Sequence, residues 1–312
     1  MREVLGSTAA GLGLAAAVMG HVGWFTPPRA WGEATGWSAI PVEERPSLDL
    51  AWLDDAGEAP EVHWLGHSGF LILWHGVRLL LDPNTSPRVI LAPRIMEPPA
   101  SASMLGAVDG VLVSHAHYDH LDLPTIAALP SVRTILVPAG SETYLHGVQS
   151  DARVVGLDVW EAKRIGPVEV IAVPAAHNGS RFHPLPSRHL AVGWVLRAGS
   201  AAMYYAGDTG LRNDFAAIGR ISPIDLAILP IGAYAPSFPM RRYHLSPEDA
   251  VEVARILDAR DVVPCHFGTF VLSLDPPNEA LPRFARAARA AGLHWTPPRL
   301  LTSFARVARG RS

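Results

Sequence analysis

One apolar segment of the sequence ends in a dense cluster of polar side chains. The strand-like run DGVLV is followed at once by SHAHYDHLD, which places His115, His117, Asp119, His120 and Asp122 within eight positions. Imidazole nitrogen and carboxylate oxygen bind Zn²⁺ at about 2.0–2.2 Å. We interpret the cluster as part of a metal site, and a metal-free histidine-rich loop is the alternative.

Four more residues of the same types stand in similar positions. His177, Asp208 and His266 each follow a strand-like run, and His244 precedes a helix start. Because strand ends meet at one rim of a sheet, we expect these side chains to converge there. Cys265 is the single cysteine, so a cysteine-only zinc site is excluded. Its apolar neighbours predict a buried thiol rather than a nucleophile.

The order of the motifs resembles a known family. H-x-H-x-D-H at 115–120 is the signature of metallo-β-lactamase-fold hydrolases. The blocks WLGHSGFLI, LLLDP, PAAH, AGDTG, DLAILPIGAY, HLSPEDA and HFGTF follow the order of the zinc-dependent N-acyl-phosphatidylethanolamine-hydrolysing phospholipase D and its bacterial relatives, over roughly residues 61–275. WLGHSGF and LLLDP are shared with the branch that hydrolyses ascorbate 6-phosphate lactone, so these two blocks do not discriminate.

The resemblance implies a dinuclear zinc site in which Asp208 bridges two ions. The other implied ligands are His115, His117 and His177 for one ion, and Asp119, His120 and His266 for the other. Other divalent transition metals accept the same donors. The charge of two divalent cations exceeds that of two ligand carboxylates, so the site would attract a phosphodiester anion. Hydroxide attack on phosphorus is the implied reaction. Asp119 and His244 are the predicted catalytic residues, with His244 contacting a phosphate oxygen or protonating a leaving group.

Nearby residues have two interpretations each. Asp82 and Asp122 either orient ligating imidazoles or are ordinary turn residues. His63 and His67 lie in the first strand region, and we predict structural roles for them rather than metal binding.

The implied substrate is a phospholipid or another phosphodiester. Tyr234 and Phe270 either line an acyl groove or, as we favour, belong to the core.

Two other functions stay open. One is a lactonase or other ester hydrolase on the same metals. The other is a non-catalytic metal-binding envelope protein, in which protein ligands would have to fill every coordination position of the metal. The arginines are not interleaved with aromatic residues, so nucleic-acid binding is not predicted. GHSGF has Phe70 where a nucleophile elbow requires glycine.

The elements that must position these groups are mostly strands at first, with helices alternating later. This order favours an α/β protein with an αβ/βα sandwich of two mixed sheets flanked by helices. Helices are predicted at 123–129, 141–147, 247–258 and 279–291, and Ser246 with Pro247 opens the third.

The last of these helices begins a basic segment, because residues 279–312 contain seven arginines and one glutamate. The predicted solvent face is Arg283, Arg286 and Arg289, and the predicted inner face is Phe284, Ala287 and Ala291. A patch that faces anionic lipid is the alternative to an ordinary solvated face.

The length of 312 residues allows one large domain or two, and 49% hydrophobic residues exclude a disordered chain. We predict a hydrolase domain at 61–312 after an irregular lead-in at 29–60. No charge occurs between Glu3 and Arg29, so residues 1–28 are either a signal or membrane anchor, which would make the protein exported or membrane-associated, or a packing helix of a cytoplasmic protein.

Overall fold

The computed structural model describes residues 60–181 and 191–298 and the backbone of residues 305–306. The predicted anchor at 1–28 and the lead-in up to residue 59 lie outside the described residues. No helix within the described ranges is long and apolar enough to cross a lipid bilayer.

Fifteen strands, four helices and three single helical turns make up the named elements of the described residues. The strands are β1 Glu61–Gly66, β2 Gly69–Trp74, β3 Val77–Leu81, β4 Arg88–Val89, β5 Ala92–Pro93, β6 Ala107–Leu112, β7 Ser131–Pro138, β8 Arg153–Leu157, β9 Ala162–Ile165, β10 Val168–Pro174, β11 Val192–Ala198, β12 Ala201–Tyr205, β13 Leu226–Pro230, β14 Asp261–Cys265 and β15 Ala305–Arg306. The helices are α1 Leu123–Ala128, α2 Phe215–Gly219, α3 Pro247–Leu257 and α4 Ala280–Ala291, with single helical turns at Ala102–Leu105, Ser141–Leu145 and Ser237–Met240.

Two mixed sheets form the sandwich. The first has the order β15-β1-β2-β3-β6-β7-β8 and the second the order β14-β13-β12-β11-β10-β9, beside a separate β4-β5 hairpin. The neighbours β3, β6, β7 and β8 run parallel, as do β12, β13 and β14. The predicted αβ/βα architecture is therefore confirmed.

The central strands are buried on both faces, as their uninterrupted apolar sequences indicate. In β2 (GFLILW), Phe70 and Ile72 belong to the core cluster that also contains Trp194 of β11. Leu71 and Leu73 belong to a second cluster on the opposite face, with Ile126 of α1. Helices α3 and α4 add Val253 and Phe284 to the first cluster. Each sheet thus has one face toward the other sheet and one face under helices or turns.

Parallel strands bring their carboxyl ends to one edge of each sheet. Asp82 follows β3 and the segment 113–122 follows β6 at this edge of the first sheet. His177, Asp208 and His266 follow β10, β12 and β14 in the second sheet. The turn between β1 and β2 lies at the same edge, because Phe70 pairs with Leu81. The fold therefore collects the predicted ligands at one rim of the sandwich.

The structure corrects details of the sequence predictions. The helix predicted at 141–147 is a 3₁₀ turn, Ser141–Leu145. In α4, Phe284 is buried and Ala287 packs against the core, but Ala291 is exposed and Ala288 takes its place. Ala288 lies four residues after Phe284, on the same helical face. Arg283 is not a free cation, because its guanidinium pairs with Glu248 and Glu279.

Candidate metal centre

Three imidazole nitrogens meet at one side of the site. His115 Nε2 lies 2.9 Å from His117 Nδ1, and His177 Nε2 lies 3.1 Å from the same nitrogen. The other nitrogen of His177, Nδ1, is 2.9 Å from the carbonyl oxygen of Tyr243. An Nδ1–H that donates to this carbonyl leaves a lone pair on Nε2, which is the tautomer a metal ligand needs.

A second group surrounds the carboxylate of Asp119. Its Oδ2 lies 2.9 Å from His67 Nε2, 3.4 Å from His120 Nε2 and 3.5 Å from His266 Nε2. These four donor atoms fall within 4.8 Å of one another, as do those of His115, His117 and His177. His67, for which a structural role rather than metal binding was predicted, thus lies against a proposed ligand, whereas His63 belongs to neither group.

Asp208 lies between the two groups. Its Oδ2 is 3.1 Å from His266 Nε2 and 3.3 Å from His120 Nε2. The same oxygen is 3.8 Å from His177 Nε2 and 3.7 Å from His244 Nδ1. A single carboxylate thus faces imidazoles of both groups, in the position that the sequence analysis assigned to a bridging ligand.

Asp82 orients two of the imidazoles, those of His120 and His115. Its side chain is completely buried, and its oxygens accept hydrogen bonds from the Ser114 backbone N–H at 2.7 Å, Ser114 Oγ at 2.5 Å and Tyr205 Oη at 2.6 Å. His120 Nδ1 lies 2.6 Å from Asp82 Oδ2, and Ser114 Oγ lies 3.0 Å from His115 Nδ1. Asp82 therefore fixes His120 directly and His115 through Ser114, leaving both Nε2 atoms free to coordinate.

Asp122, the other carboxylate that could orient an imidazole, has different hydrogen-bond partners. Asp122 Oδ2 accepts hydrogen bonds from the hydroxyls of Ser86 and Thr125, at 2.6 Å and 2.5 Å. It precedes α1 and contacts one hydroxyl of α1 and one of a neighbouring loop rather than an imidazole. Of the two interpretations of Asp122, the structural one holds.

A buried arginine holds the loop that presents His117 and Asp119. Arg181 Nη1 donates to the carbonyl oxygens of Ala116 and Leu121, at 3.1 Å and 2.9 Å. Its guanidinium carbon lies 4.1 Å from the ring centre of Tyr118. The loop also has two backbone hydrogen bonds of its own, from the N–H groups of His120 and Leu121 to the His117 carbonyl, and the Arg181 contacts add to them.

Two motif glycines are explained by close packing at the site. A Cβ on Gly207 of AGDTG would lie 2.5 Å from Ser114 Cβ. A Cβ on Gly232 of PIGAY would lie 1.9 Å from the carbonyl oxygen of His266. Gly207 therefore allows a loop of the second sheet to approach the first sheet, and Gly232 allows the loops after β13 and β14 to approach each other.

The electrostatics of the centre favour a cation. Burial opposes charge on His120, but Asp208, Asp119 and Asp82 outweigh it and hold the pKa of this imidazole well above its ordinary value. For His266, burial is likewise outweighed, chiefly by Asp208 and Asp119, and the pKa rises to about 9. Burial lowers the pKa of His117 to about 3, so this ring is neutral, as a metal ligand must be.

The donor set fits divalent metal ions. His120 Nε2, His266 Nε2 and Asp208 Oδ1 are buried and have no well-formed hydrogen bond among the described residues. Buried polar atoms are normally paired, so a convergent group of unpaired donors calls for a bound partner. Imidazole and carboxylate atoms in this number suit Zn²⁺, and other divalent transition metals as well.

The remaining predicted residues have clear positions. His244 is buried beside the centre, with its ring 4.9 Å from that of His177. Tyr234 is a core residue whose hydroxyl donates to Glu279. Phe270 is buried against His67, with ring centres 5.3 Å apart. Cys265 is buried as predicted, and burial raises the pKa of its thiol well above the ordinary value.

Sequence reasoning missed two partners of the imidazoles. Ser114 directly precedes the histidine cluster, but a serine at a strand end carries no sign that it links Asp82 to His115. The carbonyl of Tyr243 has no side-chain signal at all. The neighbouring His244 was the available hint that this segment reaches the site.

Comparisons with known proteins agree with this geometry. The sequence profile described as "Beta-lactamase superfamily domain" matches residues 77–267, and the chain belongs to this superfamily. An uncharacterized protein of Mycobacterium tuberculosis (strain H37Rv) is 38% identical over 242 residues, which cover 73% of this chain and 63% of the relative. The chain therefore spans less than two thirds of that relative's length.

Two further relatives are named for their activity. N-acyl-phosphatidylethanolamine-hydrolyzing phospholipase D 1 of Caenorhabditis elegans is 32% identical over 66% of this chain and 63% of its own length. A metal-dependent hydrolase of Caldivirga maquilingensis is 31% identical over 69% of this chain and 86% of its own length. A solved metallo hydrolase from Ignicoccus hospitalis has the same fold, with a TM-score of 0.59 and 21% identity over 80% of this chain and 98% of that one. The chain therefore shares its superfamily and its fold with proteins that are named as metal-dependent hydrolases.

Proposed function

We propose that the protein is a dinuclear zinc phosphodiesterase of the phospholipase D type that acts on N-acyl-phosphatidylethanolamine-like lipids. The observation that carries this proposal is the position of Asp208, whose Oδ2 faces His177 on one side and His120 and His266 on the other. One shared carboxylate between two groups of donors is what a pair of adjacent ions requires.

The proposed ligands keep the division given by the resemblance. His115, His117 and His177 would hold one ion, Asp119, His120 and His266 the other, and Asp208 both. Bound divalent ions would supply Lewis acidity toward the phosphate oxygens and lower the pKa of a water molecule. A positive site of this kind attracts a phosphodiester, which carries one negative charge.

The chain's own residues would orient the substrate. His244 is buried at the rim of the donor set, with its Nδ1 3.7 Å from Asp208 Oδ2. From this position its imidazole would hydrogen-bond a phosphate oxygen or protonate the leaving group. Asp82, Ser114 and Tyr205 would keep His120 and His115 in their coordinating tautomers.

Two facts support a lipid substrate. A relative at 32% identity is named as a phospholipase D that hydrolyses N-acyl-phosphatidylethanolamine. Exposed aromatic side chains also lie in the segment that leads to His244: Phe238 is 74% exposed and Tyr243 is 38% exposed. Tyr243 is the residue whose carbonyl contacts His177, so apolar surface lies within a few residues of the centre.

A substrate screen tests the proposal. Purified protein of measured metal content would be assayed on an N-acyl-phosphatidylethanolamine, a short-chain soluble phosphodiester and a panel of lactones, with Asp208→Asn as the inactive control. We expect hydrolysis of the phosphodiesters and release of phosphatidic acid from the lipid. Hydrolysis of lactones alone would favour the lactonase alternative, and protein active without bound metal would contradict the site.

Membrane association through residues 1–28 is part of the proposal. These residues lie outside the described ranges, and their uncharged sequence is its basis. Deleting them should move the protein from the membrane to the soluble fraction while hydrolysis of a soluble phosphodiester continues. Full-length protein found wholly in the soluble fraction at low salt would contradict this part.

A further inference from the structure

His67 lies in the turn between β1 and β2, with 2% of its surface exposed. Its Nε2 is 2.9 Å from Asp119 Oδ2. Among the described residues this is the one such contact to the Asp119 carboxylate from outside the proposed ligand set. The same oxygen is the atom that faces His120 and His266.

We propose that His67 is a positioning residue that donates its Nε2–H to Asp119 Oδ2 and thereby fixes the rotation of this carboxylate toward the metal that it would hold. The inference rests on the metal site of the proposed function but not on the identity of the substrate. Ligating carboxylates depend on such outer hydrogen bonds for their orientation.

The environment of the His67 ring favours a hydrogen-bond donor over a further ligand. Its Nδ1 is buried and has no hydrogen-bond partner among the described residues. If Nε2 were bound to metal, the proton of the neutral ring would sit on Nδ1 as a buried, unpaired donor. With the proton on Nε2, the donor is satisfied by Asp119, and only a weaker acceptor is left unpaired.

The backbone of His67 is held in a conformation that few residues adopt. Its φ is +53°, in the left-handed region, which only a few per cent of non-glycine residues occupy. The His67 N–H donates to Thr269 Oγ1 at 2.7 Å, and its carbonyl accepts from Trp64 Nε1 at 2.8 Å. Strain that the surroundings maintain in this way is typical of functional positions.

The same turn also holds a proposed ligand. The backbone N–H of His266 donates to the carbonyl of His67 at 3.0 Å, and the two rings lie 4.2 Å apart between centres. From the β1–β2 turn of the first sheet, His67 therefore contacts both Asp119 and the His266 loop of the second sheet. Thr269 of the HFGTF block holds this turn, because its Oγ1 accepts the hydrogen bond from the His67 backbone N–H.

The test measures metal affinity rather than turnover. The full-length protein and the variants His67→Gln, His67→Phe and His67→Ala would be stripped of metal and titrated with Zn²⁺ in competition with a chromophoric chelator. Gln places an amide N–H donor where Nε2 stood, whereas Phe keeps the volume but removes the donor. We expect Phe and Ala to weaken the affinity of one of the two ions about 10- to 100-fold, and Gln to stay within about 3-fold of the parent.

Two controls separate the alternatives. His63→Gln changes a buried histidine of β1 outside the donor groups, and its affinity should equal that of the parent. The Co²⁺-substituted His67→Gln protein should keep the parental visible spectrum, because no ligand is lost. A Gln variant as weak as Phe, or with an altered Co²⁺ spectrum, would make His67 a ligand, and unchanged affinity in folded Phe and Ala variants would make it merely structural. Either result overturns the proposal, and neither depends on finding the substrate.

Discussion

His244 is the residue at which metal binding and catalysis can be separated. Its ring lies beside Asp208 and His177 but outside the seven proposed ligands. We expect His244→Ala to lower turnover by about 10- to 10⁴-fold, since a positioned acid or hydrogen-bond donor is lost. Metal content, measured by elemental analysis of the same preparation, should stay at the parental value.

The matched control for this prediction is His294→Ala. His294 is on the surface, where its Nδ1 pairs with Asp261 at 3.0 Å, and its loss should leave turnover unchanged. Loss of metal from the His244 variant would assign this residue to the ligand set, in agreement with the possible grouping of His177, Asp208 and His244.

Asp82 should matter although it would touch neither metal nor substrate. In Asp82→Asn, one oxygen that accepts hydrogen bonds from its neighbours becomes an NH₂ group that faces hydrogen-bond donors. We expect about 10- to 100-fold weaker Zn²⁺ binding and about 1–3 kcal/mol lower free energy of unfolding, measured by chelator competition and urea denaturation. Asp122→Asn is the control, because its partners are two hydroxyls, and equal metal affinity in the two variants would contradict the role of Asp82.

At the residue scale, the sequence predicts those site residues whose type and spacing are unusual. The cluster at 115–120 and the strand-end residues His177, Asp208 and His266 were found in this way. His67 was assigned a structural role, because one histidine in an apolar strand region gives no sign of its partner. That partner is 52 positions away, and a left-handed backbone angle directs the ring toward it.

At the scale of elements, the close approach of neighbouring loops at the site depends on glycine. Gly232→Ala would place a methyl group 1.9 Å from the His266 carbonyl oxygen, so the His266 loop must move. We expect a loss of about 1–3 kcal/mol in the free energy of unfolding, together with weaker metal binding. Thermal unfolding and zinc titration of the same protein would measure both.

Gly76→Ala is the matched control for the glycine prediction. Gly76 has a φ of +77° and open space around it, so alanine should destabilise the β2–β3 turn without affecting the site. A Gly232 variant that loses stability but binds zinc as tightly as the Gly76 variant would show that the His266 loop tolerates the shift.

Elements were predictable where burial alone determines their sequence. The runs that form β2 and β13 are apolar throughout because both faces are covered, and those of β3 and β6 are interrupted by one charged residue each, Arg78 and Asp109. Strands β8 (RVVGL) and β9 (AKRI) were missed, since edge strands are short and carry charges or glycine. The capping box of α3 was anticipated in part: Ser246 accepts from the Asp249 N–H, and the Asp249 side chain returns the contact.

At the scale of the whole molecule, bound metal should stabilise the fold. The proposed metal ligands come from both sheets. An ion that binds only the folded state raises the free energy of unfolding, by about 2.7 kcal/mol when the free ion concentration is 100 times Kd. We expect chelation to lower the melting temperature by roughly 5–10 °C and added Zn²⁺ to restore it. His115→Ala should respond less, and a parental melting temperature that ignores chelator would contradict a metal that links the two sheets.

The distribution of the donors along the chain also has a consequence for biosynthesis. The first proposed ligands, after β6, are made well before Asp208 and His266, which follow β12 and β14. During synthesis, a ribosome-bound chain that ends before β14 offers an incomplete set of histidines and carboxylates to the cell's zinc pool. Because His266 follows β14, the full set of proposed ligands exists only after the last strand of the second sheet has been made. Metal loading would then be a late event in synthesis, and a chain that ends in the α3 region would lack His266 and bind metal more weakly.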